Sequence, residues 1–264
     1  MVKIAIVAAI LFVLAVVMTM TGRGGGNFYV LTLVLASVPM HEAATTGQFI
    51  LFTTAVAATL IFHKYRALSP RLALSIGAMT TGTAFAGGYL AHCFTGMALK
   101  LLFAVLLVVA AVLMLCPMRE RAKQIQKRMG YWPLIIHDEV YIINLWLVVP
   151  IALATGFCAG MVGVSGGSFL VPLMVLGCGV PMRVAVGTAS AMVAATACAG
   201  FVGHALQGSF DPAWALPLAP ATMVGGLLGG RIALRTKPAY LKKLFAATTL
   251  AAALLMVVNM AVAK

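Results

Sequence analysis

Gly22-Arg23-Gly24-Gly25-Gly26-Asn27 and Gly163-Val164-Ser165-Gly166-Gly167-Ser168 are two glycine-rich breaks in an otherwise apolar chain. Each is followed by an apolar stretch of about ten residues, which as a helix covers about 15 Å, half of a hydrocarbon core of about 30 Å. The breaks are therefore expected inside the membrane rather than at its surface. Irregular backbone survives at that depth only where protein or a water-filled cavity surrounds it. Paired breaks at matching points of two halves point to a binding site between internal repeats.

The rest of the chain agrees with a membrane setting. Of 264 residues, 63% are hydrophobic and 9% charged. Runs such as Ile4 to Met20 and Leu99 to Cys116 approach the length of about 20 apolar residues that a spanning helix needs, which excludes a soluble fold. Ile4 to Met20 is too long for a signal-peptide core and aligns with a segment of the second half, so it is expected to be a retained first helix. The net charge of +13 lies mostly in short loops between apolar segments. That pattern sets orientation and contacts anionic lipid on the cytoplasmic side; it does not build a nucleic-acid groove. Cys93, Cys116, Cys158, Cys178 and Cys198 are odd in number, lack CxxC spacing and read as small buried hydrophobes. No metal site and no cofactor is expected.

Sliding the chain on itself by 142 residues places Pro39 on Pro181, Thr46 on Thr188, Pro70 on Pro212, and Gly87-Gly88 on Gly229-Gly230. Between 79–106 and 221–248, nine of 28 positions are identical without a gap, and the matched Gly and Pro punctuation is hard to produce by composition alone. The fold class expected is an all-α polytopic membrane protein of two five-segment repeats. Residues 1–116 form the first repeat, 117–139 a basic cytoplasmic linker and 140–264 the second repeat. The segments are read as 3–21, 27–37, 41–62, 71–92 and 98–116, then 140–161, 168–178, 183–206, 213–234 and 240–262. If the linker is cytoplasmic, inverted repeats put all of the 18 Lys and Arg inside except Lys3, Lys100 and Lys264, whereas parallel repeats leave eight outside. The inverted arrangement obeys the positive-inside rule better. In that count Arg23 belongs to an inner loop. Gly225, Gly226, Gly229 and Gly230, with Thr83, Gly87, Ala84 and Gly88 at the matching places, are expected to pack helices closely.

Asn27 and Ser168 follow the glycine pairs Gly25-Gly26 and Gly166-Gly167 and are both N-cap types. The free N–H groups of two short helices would then face the protein's middle, where glycine lets a ligand approach the backbone, making an anion site without a buried lysine or arginine. The third segments add Thr45, Thr46 and Gln48 in one half and Thr188 and Ser190 in the other, whose donors suit oxyanion oxygens. The duller reading is that these hydroxyls bond their own helix backbone. None of the five acidic residues falls at the centre of a span, which favours an anionic or neutral ligand over a cation. His41, Glu42 and His204 lie at segment ends, where solvation is their ordinary role and proton handling the functional one.

The run Gly160 to Pro172, with Gly179-Val180-Pro181, Ala185 to Ser190 and Gly225 to Arg231, resembles the TauE/SafE family of sulfite and organosulfonate exporters. Over residues 17–115 the likeness is weaker: Arg23 breaks the glycine run, Leu31 stands where Pro172 stands, and Gln48 replaces a hydroxyl. The resemblance implies transport of small sulfur-containing anions such as sulfite, sulfoacetate, sulfolactate, isethionate or thiosulfate, usually outward across a bacterial inner membrane. It points to Gly166, Gly167, Ser168, Thr188 and Ser190, and through the repeat to Gly25, Gly26, Asn27, Thr46 and Gln48. The expected protein is a secondary carrier with alternating access around a midplane site. A passive anion channel is the first alternative. An intramembrane serine protease with Ser165 of a GxSG motif and His204 as base is the second. Direction, coupling ion and oligomeric state stay open, and a homo-oligomer is compatible with the sequence.

Overall fold

The computed structural model of the protein describes residues 2–90, 108, 112, 130–136, 139–162, 166–206 and 210–262. Four helices come first: α1 (Val2–Met20), α2 (Gly26–Leu35), α3 (Met40–Lys64) and α4 (Pro70–Leu90). After a hairpin come α5 (Leu145–Val162), α6 (Gly167–Pro172), α7 (Met182–Ala205), α8 (Pro212–Arg235) and α9 (Pro238–Val262). Proline marks many of these starts: Pro39 and Pro181 stand at N-caps, while Pro70, Pro212 and Pro238 open their helices, where a missing N–H costs nothing. Asp211 caps α8 by accepting from the Ala213 N–H at 2.9 Å. Residues 3–20, 41–64, 182–205 and 212–235 are each long and apolar enough to cross a membrane.

Helix starts repeat at the interval read from the sequence, Met40 against Met182 and Pro70 against Pro212. Packing repeats too. Helix α4 lies on α7 and α5, and in exchange α8 lies on α3 and α1. The matching helices α3 and α7 run antiparallel, since Gly187 at the start of α7 meets Phe62 near the end of α3, and Gly200 near the end of α7 meets Gln48 near the start of α3.

Lipid tails are as apolar as leucine, so helices in a bilayer associate through close backbone approach. The small-residue positions supply it: Gly225 sits on Ala15 and the Phe12 carbonyl, Gly226 on the Thr54 carbonyl, and Gly87 on the Phe157 carbonyl. Leu35, Leu60, Leu74, Leu216 and Leu254 stay exposed on the periphery. Exposed Tyr65, Trp146 and Tyr240 sit at helix ends, where amphipathic rings suit the headgroup layer.

The linker departs from the expected form. Tyr131–Ile136 (β1) pairs antiparallel with Glu139–Asn144 (β2), so residues 140–144 are strand rather than the start of a helix. The run Val140-Tyr141-Ile142-Ile143 is β-branched and aromatic, and a short apolar run cannot be told from helix by periodicity alone. Asn144 ends the strand and accepts from the Trp146 N–H at 3.1 Å as α5 begins. Most of the linker and most of the segment expected at 98–116 lie outside the described residues. Helix α6 widens into a π-helical turn over Leu173–Gly177, just after Pro172, which has no N–H for the usual ladder.

Candidate functional site

The two glycine breaks meet at mid-span. A side chain at Gly24 would touch Leu51 Cδ1 at 2.5 Å and Val193 Cγ1 at 3.2 Å. These are the twelfth residues of α3 and α7, which are 25 and 24 residues long. Gly167 also faces Val193, and a Cβ there would fall 2.6 Å from the Gly22 carbonyl oxygen and 2.9 Å from Arg23 Cα. The breaks therefore touch each other. Helix α2 leads from this point toward the Met40 end of α3, since Val30 packs on Gly47, and α6 leads the opposite way, since Val171 reaches Gly22 beside Val186. The two short helices thus start head to head.

Their caps differ from the expected ones. Gly25, in the left-handed conformation at φ 92°, is the N-cap of α2, and Gly166 is the N-cap of α6; neither cap uses a side chain. Asn27 and Ser168 are the second residues of their helices. Gly25 adopts that left-handed turn without strain, while Gly166 is right-handed, and both helices begin before their polar residue can cap them. Carbonyls of Gly25 and Gly166 take the N–H groups of Phe28 and Tyr29, and of Phe169 and Leu170. The N–H groups of Gly26, Asn27, Gly167 and Ser168 donate to no carbonyl among the described residues, as the first turn of a helix requires.

Arg23 is the residue the sequence reading misplaced. It is not in a solvated inner loop but 2% exposed, in the first break and against the second. Its Nε donates to Ser168 Oγ at 2.9 Å, and its Nη1 to Thr249 Oγ1 at 2.8 Å and Thr248 Oγ1 at 3.4 Å. The guanidinium lies 5.4 Å from the Phe245 ring centroid, within cation–π range. Thr248 and Thr249 pass their own protons back to the Leu244 and Phe245 carbonyls, which frees lone pairs to accept from arginine. All these partners are neutral. Glu42 and Asp211, the acids whose side chains are described, make no hydrogen bond or ion pair with Arg23; Glu42 lies nine residues before Leu51, about 13 Å along α3. The signal that could have found it was in view, because an arginine inside a break placed within the bilayer needs an interior partner.

The remaining predicted residues divide by half. In the first, both amide atoms of Asn27, Thr46 Oγ1 and Gln48 Oε1 are buried without a hydrogen-bond partner. Gln48 and Thr46 lie on α3 three and five residues before Leu51, about 4.5 and 7.5 Å from the depth of the break. Thr45 bonds the His41 carbonyl. In the second, Thr188 Oγ1 accepts the Ser69 N–H at 3.1 Å, and Ser190 Oγ donates to the Val186 carbonyl at 3.0 Å. Ser190 occupies the α7 face that carries Val186 and Val193, both of which touch the first break. Ser168 accepts from Arg23, and its own proton goes to no group among the described residues.

His204 is not solvated as expected: it is 8% exposed, and its Nε2–H donates to the Gly160 carbonyl at 3.1 Å, in reach because Gly200 lets α7 settle onto Gly88 of α4. His41 is exposed and Glu42 half-buried in the first turn of α3. Ser165 lies outside the described residues. Beside Gln48 and Gly200, the rings of Phe49, Phe201 and Phe210 form a cluster with centroids 5.1 to 5.6 Å apart.

Comparison with known proteins agrees with this architecture. The family model described as sulfite exporter TauE/SafE matches residues 7–256. The chain is 25% identical over 227 residues to the probable membrane transporter protein YunE of Bacillus subtilis (strain 168), covering 81% of this chain and 82% of that protein. It is 24% identical over 230 residues to the probable membrane transporter protein YdhB of the same organism, covering 86% and 89%. No solved structure matches. A match over nearly the whole chain, with apolar helices of spanning length, makes this an integral membrane transporter rather than an enzyme, and the chain belongs to the TauE/SafE sulfite exporter family.

Proposed function

We propose that the protein is a secondary carrier, most simply an exporter, of small sulfur-containing oxyanions, working in a bacterial inner membrane. The carrying observation is Arg23: a guanidinium buried at mid-span, held among the described residues by neutral hydroxyls, where two half-span helices start head to head. Arginine keeps its proton, and a buried charge without a counter-charge costs several kcal/mol. A transient anion supplies what the protein leaves out. In the same two breaks lie the first-turn N–H groups of α2 and α6, the Ser168 hydroxyl and the unpartnered Asn27 amide, with Gln48, Thr46 and Ser190 one to two turns away along α3 and α7.

Alternating access follows from the same geometry read as two inverted units. Antiparallel α3 and α7, and packing that exchanges between units, support that reading. Anion binding between the breaks would let the units rock about Gly22 and Gly167. Glu42 and His41, at the end of α3, are the groups placed for proton handling on that side. Basic loops such as Lys64-Tyr65-Arg66 and Arg235-Thr236-Lys237 meet anionic lipid on the cytoplasmic face.

Purified protein in proteoliposomes provides the test. Radiolabelled sulfite or isethionate trapped inside should exchange with external anion, and an excess of unlabelled anion outside should drive counterflow. Single-channel conductance would replace the carrier by a channel. The absence of any flux of sulfur oxyanions would sink the substrate assignment.

A further inference from the structure

The charge inventory around the two breaks specifies more than an anion. We propose that Arg23 is the substrate's counter-charge and that, being a single cation, it selects oxyanions of one negative charge that also carry a hydrogen-bond donor over oxyanions of two charges. This rests on the carrier reading above and narrows it to a charge class and a functional-group class.

One guanidinium is buried in the site, and no other lysine or arginine is buried among the described residues. Its hydroxyl partners carry no charge. An anion of one charge brings the buried site to neutrality. A second negative charge would have to be desolvated with no further buried cation among the described residues to meet it, and N–H and O–H dipoles compensate a full charge less well than an opposite charge does. The helix starts at Gly26 and Gly167 help either anion, so they do not restore the dianion to parity.

The second half of the proposal comes from Asn27. Both ends of its amide are buried and unpartnered, so one donor and one acceptor are unmatched whichever way the amide is turned. Gln48 adds another unpartnered oxygen. A fully deprotonated oxyanion offers only acceptors and would satisfy donors alone. An oxyanion with an O–H or N–H group, such as a hydroxyalkyl sulfonate, an aminoalkyl sulfonate or hydrogen sulfite, satisfies both kinds at once. Leaving a site's polar group unpaired is what allows hydrogen-bonding sites to reject analogues lacking the matching group.

The experiment is calorimetric binding to purified wild-type protein at neutral pH with three probes: isethionate, one charge with a hydroxyl; ethanesulfonate, one charge without one; and sulfoacetate, two charges. Isethionate should bind about tenfold more tightly than ethanesulfonate, the size of effect one unpaired buried group produces, and sulfoacetate should bind most weakly. Arg23→Gln should lose isethionate binding by roughly 100-fold, as expected when one partner of a buried pair is removed, and Arg23→Lys should retain part of it. Sulfoacetate binding as tightly as isethionate, or isethionate binding unchanged in Arg23→Gln, overturns the inference while leaving the carrier reading intact. If Arg23→Gln does not fold, the three-probe ranking on wild-type protein decides alone. Failure to bind any of the three probes, and failure to bind sulfite as well, defeats the carrier reading instead.

Discussion

The two glycine breaks share a sequence pattern yet differ in what surrounds them. The first, Gly22 to Asn27, carries the charge, and in its half both amide atoms of Asn27, Thr46 Oγ1 and Gln48 Oε1 are buried without a partner. The second, ending in Gly166-Gly167-Ser168, carries no charge, and its companions on α7 are engaged, Thr188 by the Ser69 N–H and Ser190 by the Val186 carbonyl. Ser168 joins the two by accepting from Arg23. Satisfied hydroxyls stabilise the protein as it stands, whereas unsatisfied ones cost stability and are explained by something absent. Among the described residues, the buried side-chain atoms without a partner therefore all lie in the first half.

This contrast breaks most abruptly at Gly167. Any side chain there collides with Gly22 and Arg23, and a carboxylate would also neutralise Arg23, so Gly167→Asp should abolish counterflow altogether. Gly167→Ala separates bulk from charge; it should reduce counterflow severely while leaving Arg23 unneutralised. Wild-type rates in Gly167→Asp would remove the breaks from the transport path. Next in size, Ser168→Ala withdraws an acceptor from a buried guanidinium and should cost about 1.5–3 kcal/mol of stability, read as a lower unfolding temperature in detergent without substrate. Asn27→Ala should leave that temperature unchanged or raised and yet weaken anion binding about tenfold, consistent with loss of one buried hydrogen bond. Equal destabilisation by both changes would erase the difference between the halves.

A smaller pair sharpens the same point. Thr188→Val leaves the Ser69 N–H without its acceptor and should lose about 1 kcal/mol of stability, with anion affinity little changed. Thr46→Val removes a buried hydroxyl that bonds nothing, so it should stabilise the empty protein slightly and reduce affinity. Smallest is His204→Gln, which keeps size and a donor for the Gly160 carbonyl; the pH profile of transport should not move. A shifted profile would return His204 to the proton-handling candidates beside Glu42 and His41.

Much of this was legible before any coordinates. Glycine and proline punctuation located the breaks, the short helices and the 142-residue interval, because those residues fix backbone geometry locally. Side-chain commitments were not legible, since they depend on what packs opposite. Asn27 and Ser168 looked like caps until glycine took that position, and Thr188 looked free until the α3–α4 connection brought Ser69 to it. Arg23 was counted with the loop cations because charge near a helix end usually marks the interface. Its real partners, Thr248 and Thr249, lie more than 200 residues away. The hairpin was missed because Val140 to Ile143 is as apolar as the helix that follows it.

A Cβ on Gly167 would land on the Gly22 carbonyl, while a Cβ on Gly22 would land on the Val186 backbone and beside Val171. Neither glycine can grow without displacing backbone from the other half of the chain. The two halves are thereby locked into a common fate where these backbones touch. A viable replacement at either glycine must therefore arrive with a compensating shift in the opposite half.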